Sequence, residues 1–403
     1  MSMNPFRVLR HRNFRLFWWG QTLSLIGTWM QSMAQGWLAF ALSHNAFLVG
    51  AVAAAQSLPV LLFSLHAGVL VDRANKLRLV TICQVLLGLD AMALWLFTWT
   101  GHITIHGLIL LATINGMISS VEIPARQSLV IELVGREELP GAIALNSSGF
   151  NLARIVGPAV AAIIIAKLGI AWCFGVNALS YVTVLAGLLR IQLPPWLPVE
   201  HRASPMEGIV EGVRFMRGTP ALAALMSIVT VYSVFGVPYL TLMPVVAVDR
   251  LHLGAGGYGL LLACVGVGGL AGALTLATLG DRFRRGAVLS VASYSFAVLL
   301  LIFALVREST PAYVLLLAIG FAMIVNNAQA NAMIQHLVPD ELRGRIMAAY
   351  SFIVVGLSQV VGAFVAGAVA RAFGVAWAIG GGGAIMLAYA LWAFRRRPEL
   401  RAL

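Results

Sequence analysis

Charge is what this 403-residue chain has least of: Asp, Glu, Lys and Arg together make up 10% of it. Soluble domains carry about 25%, so this chain cannot cover a water-facing surface. With 60% hydrophobic residues and a mean hydropathy of +0.90, it reads as an integral membrane protein. Lysine is nearly absent. Lys76 and Lys167 follow Asn75 and Ala166, so there is no Gly-Lys pair for a phosphate-binding loop and an ATP-driven pump is excluded. Cys83, Cys173 and Cys264 lie far apart in apolar segments. They form no C-x-x-C pair, read as small buried hydrophobes, and indicate neither a disulfide framework nor a zinc site. His102 and His106 share a short loop with no third ligand nearby, so no metal site is expected. No cluster of His or acidic residues at a common depth and no nucleophile elbow appears, so neither an enzyme nor a cofactor is expected. The formal net charge is +12, but no soluble basic module exists to bind nucleic acid.

Long apolar runs are what the chain has instead. Spans are predicted near 14–40, 47–71, 79–99, 103–122, 141–166 and 170–192, then 221–248, 256–279, 286–306, 311–335, 346–370 and 374–394. The expected fold is an all-α membrane protein of about twelve transmembrane helices in two six-helix bundles. The expected domains are 1–192, a cytoplasmic linker at 193–220 whose Pro205–Arg217 part suits an amphipathic surface helix, and 221–403. The apolar run behind the N-terminus exceeds the roughly 7–15 residues of a signal peptide, and reads as an uncleaved first helix. With the N-terminus inside, 22 of the 27 Lys and Arg fall in inside segments. That bias places both termini in the cytoplasm.

The halves repeat. "LVGREELPGAIAL" from Leu133 and "LVPDELRGRIMAAY" from Leu337 stand at matching places, as do "VDRANKLR" and "GDRFRRG". Parallel six-helix repeats with a substrate site between them are a transporter signature.

The first span carries Gln21, Ser24, Thr28, Gln31 and Gln35 at steps of 3, 4, 3 and 4, which puts them on one helix face. Polar residues also mark the fourth span (Asn115, Ser119), the seventh (Ser227, Thr230) and the end of the tenth (Asn326, Asn327, Asn331). These residues either line a substrate cavity or bridge packed helices. An amide-rich wall with Trp29 and Trp37 beside it fits a bulky amphiphile better than a small ion.

Charges inside spans cost about 2.5–3.5 kcal/mol each and mark function by default. Asp90 and Arg154 lie about halfway along their spans. Asp90 is read as either a coupling group or a structural carboxylate. Arg154 suits an anionic substrate or a carboxylate that loses its charge on protonation. Glu122 and Arg126 are four apart, and an i,i+4 pair accounts for them simply.

"GVLVDRANKLR", Gly68 to Arg78, offers Gly68 for a close helix approach and a basic turn with Asp72, Arg73 and Arg78; Asp281–Arg282 match it in the second half. Here the chain resembles the major facilitator superfamily, whose signature loop reads G-x-x-x-D-R-x-G-R-R, with Asn75 in place of the second glycine and Ala277 in place of the second copy's first. The resemblance implies that Asp72 and Asp281 help latch the two halves on the cytoplasmic side. "ARIVGPAVAA" at Ala153–Ala162 is similar to the superfamily's exporter Gly-Pro motif. Gly149 and Gly157 share one face and Pro158 bends the helix; a Pro-kinked packing helix gives the same geometry. "PARQSLVIELVGREELPGAIALNSSGFNLARIVGPA" from Pro124, "GYGLLLACVGVGGLAGA" from Gly257 and "LVPDELRGRIMAAYS" from Leu337 together resemble the branch of enterobactin exporters, macrolide efflux pumps and transmembrane secretion effectors. The branch implies a monomeric secondary transporter of the inner (cytoplasmic) membrane. It would export a drug, siderophore or secondary metabolite by alternating access and proton antiport. The fourth-span Arg-x-x-Gln-Gly motif of many drug–proton antiporters is absent. A lipid flippase or an uptake symporter of the same fold is the alternative.

Overall fold

The computed structural model describes residues 5–194, 214–216, 218–279 and 282–402. Among them there is no β-strand; the long elements are helices α1 (Arg12–Ser43), α2 (Ala46–Asp72), α3 (Lys76–Trp99) and α6 (Ala171–Leu188), with α4 (Ile105–Gly135) and α5 (Glu137–Leu168) between. α7 (Pro220–Arg250), α8 (Ala255–Leu279), α9 (Arg285–Leu305), α10 (Ser309–Leu337), α11 (Asp340–Ser351 continuing to Phe373) and α12 (Val375–Arg396) follow. Eleven helices among the described residues, α2 to α12, are long and apolar enough to cross a membrane. α1 has the length, 32 residues, but stands outside that set because Gln21, Gln31 and Gln35 lower its hydropathy. Large apolar side chains face outward, among them Leu305 at 78% exposed and Trp377 at 71%. In a multi-helix membrane protein such side chains meet lipid rather than water.

Two expected boundaries move. The loop expected between the fourth and fifth spans is helical, and α4 and α5 run on from each other through a single break at Gly135, φ 75°. Only glycine takes that conformation freely, so one residue turns what pattern reading takes for a loop. The surface helix expected at 205–217 falls mostly outside the described residues.

α7 and α11 are irregular. In α7 the α-helix Pro220–Val231 gives way to π turns at Tyr232–Gly236 and Val246–Arg250 with a 3₁₀ turn at Val237–Leu240 between them. Pro238 and Pro244 lie in this stretch, and each removes a backbone donor. α11 is π-wound from Phe352 to Gly362. The two irregular stretches pack together: a Cβ at Gly362 would lie 2.7 Å from Pro238 Cγ and 2.9 Å from the Val234 carbonyl.

The chain divides into two compact units, one of Met1–Leu42 with Ala55–Arg202 and the other of Ser43–Ala54 with Ala203–Leu403. The first unit is cored by Phe14, Phe17, Val80, Leu129, Leu145, Val184 and Leu188 among others. Its N-terminal 3₁₀ turn, Pro5–Arg10, is held against the start of α5, where Glu138 meets Arg7 Nε at 3.6 Å and His11 Nε2 at 2.8 Å. Lys76 Nζ, 2.8 Å from Glu132 Oε1, ties the start of α3 to the end of α4. The second unit is cored by Leu222, Leu225, Met226, Leu289, Ile334, Ile346 and Phe394 among others. The opening turns of α2 belong to it because small residues let them approach α11. A Cβ at Gly50 would sit 2.5 Å from the Ala363 carbonyl, and Phe47 meets Phe364 edge-on at 4.8 Å.

Candidate functional site

α1 lies between α5 and α6. A Cβ at Gly157 would sit 2.6 Å from Trp29 Cβ, and one at Gly149 3.0 Å from Thr22 Oγ1. On the other side a Cβ at Gly20 would meet Val184 Cα at 3.1 Å. The two α5 glycines therefore both face α1, and Pro158 is buried beside them. Arg154, one turn earlier on α5, is half-buried.

Within this sandwich the polar stripe of α1 is inside the protein: Gln21, Ser24, Gln31 and Gln35 are each less than a tenth exposed. Gln31 Oε1 accepts a 2.7 Å bond from Asn177 Nδ2 on α6, and Thr28 Oγ1 donates to the Ser24 carbonyl at 3.0 Å. Gln21 Oε1 and Gln35 Nε2 are buried with no hydrogen-bond partner among the described residues. One amide of the stripe thus bridges helices, while two keep unused capacity.

Three membrane-embedded charges of the first unit, Asp90, Glu122 and Arg126, stand in two polar layers where α3 meets α4. In one, Gln56 Nε2 on α2 donates to Asn115 Oδ1 (3.2 Å) and Asn115 Nδ2 donates to Asp90 Oδ2 (3.0 Å). In the other, Glu122 Oε1 accepts from Arg126 Nε at 2.8 Å and from Gln84 Nε2 at 3.0 Å. The i,i+4 pair read from the sequence is formed, and a glutamine from α3 joins it. Asp90 and Asn115, named from sequence for separate roles, are bonded to each other. Ser119, between the layers, is half-buried.

In the second unit, Ser227 Oγ accepts from Tyr389 Oη at 2.7 Å, and Thr230 Oγ1 donates to the Met226 carbonyl of its own helix at 2.8 Å. Asn326 Nδ2 donates to Ser293 Oγ on α9 at 2.6 Å, Asn327 accepts from Tyr350 Oη, and Asn331 accepts from Gln335.

Arg73, Arg78 and Arg282 are exposed, and Asn75 caps α3 by accepting from the Arg78 N–H at 2.9 Å. The Asp72 side chain and the whole of Asp281 lie outside what is described. Among the described residues, no atom lies within 4 Å of a Cβ built at Gly68.

Sequence reading missed Gln56, Gln84 and Asn177. Each is a lone amide in an apolar run, and burial in a membrane obliges such a group to find a partner. Asking that of every polar residue in a span would have found all three.

The helices define a class, the major facilitator transporters. The crystal structure of a bacterial homologue of the human lysosomal transporter Spinster, inward-facing and unoccupied, matches with a TM-score of 0.72 at 13% identity, over 100% of this chain and 97% of that one. Within the class, a model of the transmembrane secretion effectors matches residues 3–402, and the chain belongs to that family. Similar curated proteins include the enterobactin exporter EntS of Shigella boydii serotype 4 (strain Sb227), 25% identical over 83% of this chain and 80% of that one. The enterobactin exporter EntS of Citrobacter koseri is 24% identical over the same shares. The chain is therefore a multi-pass transporter of the inner membrane and not an enzyme.

Proposed function

We propose that this protein exports a bulky amphiphilic small molecule, of the siderophore class in the first instance, out of the cytoplasm in exchange for protons. The observation that carries this is likeness over four-fifths of the chain to exporters whose named substrate is enterobactin. The interior chemistry supports it. Gln21 and Gln35 hold unused amide atoms, and Trp29 and Trp37 lie on the same helix, a combination that takes the polar groups and ring faces of one large solute. Substrate binds near mid-membrane, both termini stay in the cytoplasm, and the six-helix halves alternate access as a monomer. Asp72 and Asp281, with Arg73, Arg78 and Arg282, latch the cytoplasmic side.

The test is uptake into everted membrane vesicles of three probes: a catecholate siderophore, a macrolide and a lipophilic cationic dye. Siderophore uptake that collapses with a protonophore is the expected result. Uptake of the dye or macrolide alone would move the protein to drug efflux. Accumulation of none of them would refute amphiphile export and turn attention to lipid flipping or solute import.

A further inference from the structure

The first unit buries two carboxylates in different surroundings. Glu122 takes both its bonds on Oε1, one from a guanidinium that keeps its charge at any working pH. Asp90, 4% exposed, receives one bond from a neutral amide, and its Oδ1 is buried with no partner among the described residues. Leu87 and Ala91 of α3, Ile118 of α4, and Ala178 and Tyr181 of α6 form an apolar cluster at its level. Asn115 of α4 bonds to it, Gln56 of α2 reaches it through Asn115, and Tyr181 of α6 senses its charge; of these only Tyr181 is titratable. The charged pair Glu122–Arg126 lies two turns along α4, and no ion pair to Asp90 occurs among the described residues. An ionised carboxylate with one neutral donor and one bare oxygen is costly to bury, whereas a carboxyl is neutral and gains a donor.

We infer that Asp90 is a proton-binding site and that the Asn115 amide turns over when the proton arrives, reporting it to Gln56. An ionised Asp90 can only accept, so it holds the Asn115 Nδ2 toward itself and leaves Asn115 Oδ1 to accept from Gln56 Nε2, as found. With a proton from the aqueous phase bound, the Asp90 hydroxyl donates to Asn115 Oδ1. The Asn115 amide rotates by half a turn, the Gln56 amide turns over with it, and Asn115 Nδ2 donates to Gln56 Oε1. Asp90 Oδ2, Asn115 and Gln56 keep one bond to each neighbour in both states, and the direction of the whole chain reverses.

The signal reaches α2 at a weak point. Pro59 supplies no N–H for the Ala55 carbonyl, and the boundary between the two units falls between Ala54 and Ala55. The main chain of Gln56 presses on α4, where a Cβ at Gly116 would sit 2.1 Å from the Gln56 carbonyl oxygen. Reversing the amide chain therefore acts on the segment where α2 passes from one unit to the other. The link to export rests on the proton-driven reading above.

Infrared difference spectra of the purified, reconstituted protein across a pH titration test this without any substrate. A protonated-carboxyl band is expected that shifts on labelling aspartate with ¹³C at the side-chain carboxyl, vanishes in Asp90→Asn, and changes frequency in both Asn115→Leu and Gln56→Leu. Persistence of the band in Asp90→Asn, or absence of an isotope shift in the unmutated protein, would overturn the site. A band that ignores both amide variants would overturn the relay. Siderophore uptake in everted vesicles separates the two claims. Protonophore-sensitive uptake that survives Asp90→Asn sinks this inference alone. An intact Asp90 band without uptake of any probe sinks the export reading alone.

Discussion

The contact between α1 and α5 yields a prediction whose magnitude follows from geometry. Adding a methyl group at Gly157 puts carbon 2.6 Å from Trp29 Cβ, 3.0 Å from the Ile26 carbonyl and 3.1 Å from the Met30 nitrogen. Two of those neighbours are backbone and the third is fixed to it, so the helices must part. Overpacking of this kind costs about 1–3 kcal/mol. Alanine recovers up to about 1 kcal/mol of helix propensity over glycine, which leaves a net loss of up to about 2 kcal/mol. At Gly149 the nearest atom is the Thr22 hydroxyl at 3.0 Å, a side-chain atom able to turn aside, so Gly149→Ala should come out near neutral. No atom of the described residues lies within 4 Å of a Cβ at Gly68, and Gly68→Ala should gain about 0.5–1 kcal/mol. Thermal unfolding followed by labelling of Cys83 and Cys173, both buried, reads all three in one assay. The expected order of melting temperature is Gly68→Ala, then wild type with Gly149→Ala, then Gly157→Ala lowest. A Gly157→Ala protein that melts with Gly68→Ala would refute the close packing of α1 on α5.

Other contacts give sharper single tests. Asn177→Leu strands the buried Gln31 Oε1 and should cost about 1–3 kcal/mol; adding Gln31→Leu should restore most of it, and a double-mutant cycle in the same melting assay measures the coupling. Arg126→Gln removes the cation from buried Glu122 and should destabilise the protein measurably, with Glu122→Gln on top recovering part of the loss; equal melting of the single and double variants would contradict the pairing. Gly320→Val should abolish accumulation of folded protein in the membrane, seen by detergent size-exclusion, because even a Cβ there lies 2.1 Å from the Val265 carbonyl.

Helix number and order could be read from hydropathy because lipid leaves few alternatives: a run of about twenty apolar residues has to be a helix. The same logic hid two things. Gly135 looks like one more loop residue, yet it is the only break between α4 and α5, since a positive φ leaves no hydrophobic signature. The irregular winding of α7 and α11 is equally silent, because π turns keep the same apolar residues. At the candidate site, the α1 stripe and the Glu122–Arg126 pair were legible because 3.6-residue spacing makes them neighbours on one helix. The Asp90–Asn115–Gln56 chain was not, since its members sit 25 and 59 residues apart on three helices. Gly157 was singled out by motif; which helix it admits, α1, required the packed structure.

The claim on which the rest depends is that substrate leaves as protons enter. Purified protein in proteoliposomes, with an imposed pH gradient and a pH dye in the lumen, tests it on a catecholate siderophore with no other protein present. The account predicts siderophore moving against its own concentration gradient while protons flow the opposite way, with both stopping when the gradient is discharged. Siderophore that only equilibrates, at a rate indifferent to the pH gradient, would contradict it.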